Sequence, residues 1–322
     1  MKAKTEDYKL LNPARDWIGI TCVGICRSLF ILSACFLIMI FARIAYQGAP
    51  HITWEFISKD PIQGMTAGGI FPCIFGTLSL VAMMIFIAFP LGVFAAIYLV
   101  EYAGAGLSTR IIRAAINNLA GVPSIVFGLF GVGFFVLFIG RNIDRVLGTG
   151  LIFGQPALIW AAATLAVLSL PVIIVATEEA LNAVPQSLRE ASYALGATQW
   201  QTVWHTVLPQ ARGGMLTGAI LAVSRASGET APILFTGCAY FLPRLPVVNL
   251  FGVIPMLNPT DQFMALPYHI FIMATQSTNV KTTLPIQYGT TLVLIAVIFL
   301  LNLTAIIYRY RFRKKWAAGR AV

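Results

Sequence analysis

The chain has 322 residues, 58% of them hydrophobic and only 11% charged, with a mean hydropathy of +0.82, so most of it lies in lipid rather than water. Barrel-like alternation of apolar and polar residues is missing, which leaves an all-α integral membrane bundle. The net charge of +10 reads as a topological signal with added attraction to anionic headgroups, and no nucleic-acid partner is expected.

Six segments meet the requirement of about 20 apolar residues for a membrane-crossing helix: 24–46, 70–99, 118–140, 155–177, 213–238 and 288–308. The first follows a polar leader without a small-residue cleavage site, which predicts an uncleaved anchor. Cys22 and Cys26, one helical turn apart, are expected to be packing residues. Pro90 punctuates the second segment. Residues 101–117, with Arg110 and Arg113 among Ile111, Ile112 and Ile116, predict an amphipathic cytoplasmic helix, with an extra contact to a soluble partner as the alternative. Gly121-Val122-Pro123-Ser124 opens the third segment and Pro171 interrupts the fourth. Such breaks persist in lipid only where protein or water satisfies the freed backbone groups, which points to a lined path.

Residues 187–209, SLREASYALGATQWQTVWHTVLP, read as a soluble helical hairpin inside a membrane chain. Pro185 starts a first helix. Arg189, Glu190, Ser192 and Tyr193 give that helix polar character, and Gly196 supplies the left-handed residue that ends it. Thr198 and Gln201 form a capping box for a second helix, which carries Trp200, Val203, Trp204 and Val207 at three- and four-residue spacing and is expected to end at Pro209. An aromatic-faced element of this kind suits docking into a groove on a soluble partner.

In the fifth segment Arg225 and Glu229 stand at i and i+4 near mid-helix. A central arginine costs about 2.5–3.5 kcal/mol on insertion scales, so the pair is expected to face the bundle interior or a watery cavity. A structural ion pair is one reading and a substrate site the other. The order of arginine before glutamate, the weaker one within a helix, and the hydroxyls of Ser224, Ser227 and Thr230 favour a site for an oxyanion. Pro232 is expected to kink the helix where the pair sits. Residues 240–287 hold six prolines, with only Arg244, Asp261 and Lys281 charged. That stretch is too long for a simple connection. It predicts short interfacial helices on the outer face, or else a partly re-entrant packing element.

Basic residues set the orientation. Lys2, Lys4, Lys9, Arg15 and Arg27 lead the first segment, Arg110 and Arg113 follow the second, Arg189 and Arg212 flank the hairpin, and Arg309, Arg311, Arg313, Lys314, Lys315 and Arg320 close the chain. The other side carries only Arg43, Lys59, Arg141, Arg145, Arg244 and Lys281. Both termini and the hairpin are therefore expected in the cytoplasm. No G-x-x-x-x-G-K-[ST] loop, H-E-x-x-H, G-x-S-x-G or C-x-x-C run is present, and His51, His205 and His269 are far apart in sequence. No catalytic or metal-ligating residue is proposed.

Glu190-Ala191-Ser192, Gly196 and Leu208-Pro209 resemble the EAA loop of binding-protein-dependent ABC importers, E-A-A-x3-G-x9-I-x-L-P, with Ser192 in place of the second alanine and Thr206 in place of the isoleucine. That resemblance implies insertion into a cleft of an ATPase subunit, with Glu190, Ala191, Gly196, Leu208 and Pro209 as coupling residues. SRASGETAPILFTG and AGVPSIVFGLFG, at 224–237 and 120–131, are similar to the PstA-type permease subunit of bacterial phosphate importers, a resemblance running from about residue 66 to residue 306.

The family implies a type I ABC importer (MetI-like) fold in the bacterial inner membrane, with six transmembrane helices and both termini cytoplasmic. It divides the chain into a leader and first helix at 1–60, a permease domain at 66–308 and a basic tail at 309–322. Arg225, Glu229, Thr230 and Ser124 become the substrate-pathway residues. The implied partners are a PstC-type permease, a PstB-type ATPase dimer that binds the ATP and Mg²⁺, a PstS-type phosphate-binding protein and membrane lipid, with no cofactor in this chain. The alternatives are a permease for another oxyanion, such as sulfate or molybdate, and an ion-coupled transporter or channel working alone.

Overall fold

The structure, a computed structural model, describes residues 13–62, 65, 67–104, 106–250, 254–277 and 279–318. Lys2, Lys4, Lys9 and Arg320 of the predicted charge pattern lie outside them. In chain order the elements begin with α1 (Pro13–Gly48), α2 (Trp54–Ser58), a two-residue antiparallel pair β1 (Pro61–Ile62) and β2 (Ala67–Gly68), and α3 (Phe71–Ile97), which a π-helical turn extends over Tyr98–Tyr102. Next come α4 (Leu107–Leu119) and α5 (Ser124–Gly131), which continues through π-helical Val132–Gly140 into α6 (Arg141–Leu147). After α7 (Leu158–Asn182) come α8 (Gln186–Ala194), α9 (Gln199–Thr202), a π-helical run Val203–Val207, α10 (Leu208–Ala226) and α11 (Ala231–Thr236). The chain closes with β3 (Val247–Leu250), β4 (Ile254–Leu257), α12 (Leu266–Thr275) and α13 (Val280–Ala318), so the helix of the last span runs past residue 308 into the basic tail.

Among the described residues five helical segments are long and apolar enough to cross a membrane: Gly19–His51, Phe71–Tyr102, Ser124–Leu147, Leu158–Asn182 and Val280–Arg311. They coincide with five of the six expected spans. The remaining one, 213–238, is realised as two helices, α10 and α11, separated at Ser227–Thr230. Pro232 explains the separation: in the first turn of α11 its missing N–H has no helical partner to lose, whereas inside a continuous helix it would break a bond and clash.

The bundle is built around α7, whose most apolar window is 67% buried, against 39% for α3 and 0% for α1. α1 is therefore the most exposed of the five segments, and it meets α13 near its end, where Gly48 approaches the Tyr288 carbonyl. The close packing of α3 and α10 on α7 depends on small residues. A Cβ on Gly92 would lie 2.6 Å from Ile173 Cγ2, one on Gly214 2.4 Å from Ala180 Cβ, and one on Gly218 2.8 Å from Ala176 Cβ. Without a hydrophobic drive between helices in lipid, backbone approach of this kind supplies the van der Waals contact. Pro90 and Pro171 lie inside α3 and α7 without ending either helix.

The 240–287 stretch adds a strand pair to the short helix expected there. Its first half is an antiparallel hairpin, with Val247 opposite Leu257 and Val248 opposite Met256. Val247 and Val248 favour extended backbone. Its second half holds the short helix α12, which buries Leu266, Pro267, His269, Ile272 and Met273. The Leu266 N–H donates to Thr77 Oγ1 at 2.9 Å. Alongside, Gly76 leaves room for the Met264 carbonyl, 2.0 Å from where a Cβ would stand.

Candidate functional site

The 185–209 hairpin forms as its residues dictate, with two corrections. Pro185 caps α8. At the other end Gly196 has φ +84°, the Ala197 N–H donates to the Ser192 carbonyl at 3.2 Å and the Gly196 N–H to the Tyr193 carbonyl at 2.9 Å. That is a Schellman turn, in which glycine takes the left-handed position. Thr198 and Gln201 make the capping box in both directions, at 3.3 and 2.8 Å. The first correction is Pro209. It does not end the second helix but sits in the first turn of α10. The π-helical run before it, with the Leu208 N–H bonded to the Val203 carbonyl, shifts the register where proline could not donate, so the second arm of the hairpin and α10 form one helical rod.

Val203 and Val207 are fully buried, in a cluster with Ile97, Leu99, Leu181, Val184 and Leu208. The opposite face is bare. Trp200 and Trp204 stack at 5.5 Å while staying 51% and 49% exposed, and Leu195 at the tip is 90% exposed. Glu190, Ala191 and Gly196 are exposed with them, whereas Leu208 is buried and Pro209 half-buried. Ser192, the departure from the EAA pattern, lies with its Oγ 2.9 Å from Thr202 Oγ1 and joins the two arms.

The second correction is Arg189, expected as a surface basic residue. Its side chain is buried, and Nη2 donates to Glu101 Oε1 at 2.8 Å and to the Leu181 carbonyl at 2.8 Å. Nη1 donates to the Val184 carbonyl at 2.6 Å. Gln199 of α9 donates to the Glu101 carbonyl. Sequence reasoning missed Glu101; the available signal was an acidic residue at the C-terminal end of an apolar helix, shortly before Arg110 and Arg113.

Around the helix break, Arg225 lies in the last turn of α10 rather than at mid-helix. Its Nε is 3.3 Å from Glu229 Oε1, with side-chain exposures of 40% and 18%. Among the described residues Nη1 and Nη2 of Arg225 have no protein partner. Thr230 precedes α11 and Ser124 opens α5, both half-buried. The contacts of α5 and α11 advance together, from Gly128 beside Ala231 and Pro232 to Gly131 beside Thr236, so the two short helices run in parallel and their first turns lie at the same end. No bond among the described residues joins Ser124 or Thr230 to the charged pair. Of the other expected hydroxyls, Ser227 donates to the Val223 carbonyl at 2.6 Å, and Ser224 accepts from Asn302 Nδ2 at 3.2 Å. Arg309 Nη1 donates to Thr217 Oγ1 at 2.8 Å, a second polar tie between α13 and α10. Asn302 was not singled out from sequence and Arg309 was read only as a basic residue of the tail, since neither stands near the motif in the chain.

Comparison with known proteins follows the same lines. Residues 88–317 match the family described as binding-protein-dependent transport system inner membrane component. The chain is 33% identical over 284 residues to the probable ABC transporter permease protein YqgI of Bacillus subtilis (strain 168), covering 88% of this chain and 90% of that protein. It is 33% identical over 258 residues to the phosphate transport system permease protein PstA 1 of Mycobacterium tuberculosis (strain CDC 1551 / Oshkosh), covering 80% and 76%. In fold it is similar to a chain of a bacterial ABC transporter involved in the import of alginate, with a TM-score of 0.61 at 12% identity over 92% and 96% of the two chains. A chain of the inward-facing MetNI methionine ABC transporter gives 0.54 at 18% identity over 74% and 94%.

Proposed function

The chain belongs to the family of binding-protein-dependent transport system inner membrane components, and we propose that it is the PstA-type permease subunit of an ATP-driven importer of inorganic phosphate. It lines half of the translocation path, pairs with a PstC-type permease, receives phosphate from an extracytoplasmic PstS-type binding protein and docks a PstB-type ATPase through residues 187–209, with that hairpin and both termini in the cytoplasm. The ATPase binds ATP and Mg²⁺ and performs hydrolysis; this subunit contributes the path and the mechanical contact.

The observation that carries the reading is Arg225. It stands in the last turn of α10 beside the helix break, restrained by Glu229 through Nε alone, with both Nη groups open and the side chain 40% exposed. A guanidinium held this way offers a planar donor pair matched to two phosphate oxygens. Glu229, at 3.3 Å, lowers the local positive potential so that the anion passes instead of staying bound. Phosphate as the substrate follows the relative named PstA 1, 33% identical over 80% of this chain. Closure of the ATPase dimer draws the hairpins together, and the rod of α9 and α10 turns that displacement into rigid-body exchange between outward and inward access.

The test is uptake of labelled phosphate by proteoliposomes holding the complete complex, with ATP inside or absent and with excess unlabelled sulfate. ATP-dependent uptake insensitive to sulfate is expected. Uptake independent of ATP would remove the importer reading, and sulfate competition would move the substrate to another oxyanion.

A further inference from the structure

We infer that Glu101 and Arg189 form the positioning link through which the coupling hairpin moves α3. The inference rests on the transport reading above and names the residues that carry its mechanical step.

The argument starts from connectivity. The hairpin is joined covalently to two spans: to α7 through Ala183–Pro185, and to α10 through the continuous helix of Val203–Val207. α3 has no such connection, since its chain continues into α4 and from there into α5. Yet α3 packs along α7, with Gly92 against Ile173, and must move with it if access is to switch without tearing that interface. Apolar contacts of Ile97 and Leu99 with Val203 and Val207 resist separation but permit sliding, because they have no directional preference. A directional connection is needed.

Glu101 supplies it. The π-helical turn Tyr98–Tyr102 that closes α3 carries Glu101 into the cleft beneath α7, where its side chain is 6% exposed. Arg189 of α8 binds the carboxylate through Nε at 3.3 Å and Nη2 at 2.8 Å, and the same guanidinium takes the carbonyls of Leu181 and Val184 at the end of α7. One planar group thus fixes the ends of two spans to the first arm of the hairpin. The second arm holds the same residue by its backbone, through Gln199 and the Glu101 carbonyl. Ser192 and Thr202 join the arms at 2.9 Å, so α3 is attached to the hairpin as a single body.

Burial of the pair argues against a role in stability alone. Desolvating two charges offsets most of their attraction, and apolar pairs of similar volume often stabilise as well. An arginine fork fixes distance and angle together, which an apolar pair does not.

The experiment uses the complete complex in proteoliposomes and measures three quantities per assembled complex: ATPase content, ATP hydrolysis and phosphate uptake. The variants are Glu101→Gln, which keeps shape and hydrogen bonding but removes the charge, and Glu101→Asp, which keeps the charge on a side chain one methylene shorter and leaves the Arg189 bonds to Leu181 and Val184 in place. For Glu101→Gln the expected result is normal ATPase content, hydrolysis within about twofold of the unmodified complex and at least a tenfold fall in phosphate moved per ATP. Glu101→Asp is expected to retain at least a third of the unmodified ratio. Unchanged phosphate per ATP in Glu101→Gln would overturn the inference. So would failure of that variant to assemble, or loss of hydrolysis and uptake in equal proportion, since either assigns the pair to structure. If the unmodified complex shows no ATP-driven phosphate uptake while its ATPase is bound, the transport reading fails first and the linkage falls with it.

Discussion

Ser192 and Thr202 lie with their hydroxyl oxygens 2.9 Å apart, one on each arm of the 187–209 hairpin. Ser192 is where the chain departs from the alanine of the EAA pattern, and Thr202 is fully buried. The departure therefore adds a cross-tie to a hairpin whose apolar floor is only Val203, Val207 and their neighbours.

Restoring the alanine should weaken that tie. Ser192→Ala strands the buried Thr202 hydroxyl, at a cost of about 1–2 kcal/mol, and is expected to raise protease cleavage near Gly196 and lower the melting temperature of the purified subunit. Adding Thr202→Val removes both polar groups and should recover most of the loss. Equal cleavage rates in Ser192→Ala and the unmodified chain would show that the hydroxyl pair contributes nothing.

Gly196 isolates backbone strain from crowding. Its φ is +84°, and a Cβ there would meet nothing within 4 Å, so substitution acts only through the left-handed conformation. Gly196→Val should cost about 1–3 kcal/mol locally and reduce ATPase recovery with the permease. Gly196→Asn should retain at least half of that recovery, because asparagine tolerates the region. Matching recoveries for valine and asparagine would exclude the turn as the cause.

These turns and caps were legible in the sequence because they depend on residues one to five positions apart. Gly196 and the Thr198–Gln201 box each follow from local backbone chemistry, whereas at Pro232 the sequence predicts a kink and the helix is broken outright. The Glu101–Arg189 contact was not legible: it joins residues 88 apart, and a buried arginine has the same letter as an exposed one. Pro209 misled for a related reason, since proline ends a helix unless a π-turn upstream absorbs the missing donor, and a π-turn has no sequence signature. The 240–287 stretch has prolines in strands, turns and helix alike, so its punctuation could not tell a hairpin from short helices.

His269 gives the structure a pH dependence. It lies on α12, a helix of ten residues and thus too short to cross a membrane. The residue is 2% exposed, neither ring nitrogen has a hydrogen-bond partner among the described residues, and burial pushes its pKa down from 6.5 to about 4. The folded chain keeps it neutral while the unfolded chain takes up a proton near pH 6.5. Stability is thus complete above pH 6.5, falls as pH drops from 6.5 towards 4, and is level again below that. At pH 5 the loss is on the order of 2 kcal/mol. The melting temperature of the unmodified subunit should fall between pH 7 and pH 5, and His269→Leu should flatten that part of the profile. Parallel profiles for the two chains would assign the acid sensitivity to other groups.

Arg225 and Glu229 separate the transport reading from a structural one. Arg225→Gln removes the charge meant for the anion and keeps a polar side chain of similar reach. It should abolish phosphate uptake while the complex still assembles and binds its ATPase. If the pair instead holds the bundle together, removing one partner leaves an uncompensated charge, costing about 3–5 kcal/mol for a fully buried pair. The cost is smaller here, because the side chains are 40% and 18% exposed and water screens them. A structural pair would therefore show as reduced abundance and a lower melting temperature, and Arg225→Gln with Glu229→Gln would recover both, together with uptake. The measurement that decides is uptake per assembled complex in the double variant. Failure to transport in a stable, ATPase-bound complex is expected, because a neutral break has nothing to offer a phosphate leaving water; restored uptake would exclude Arg225 from the path.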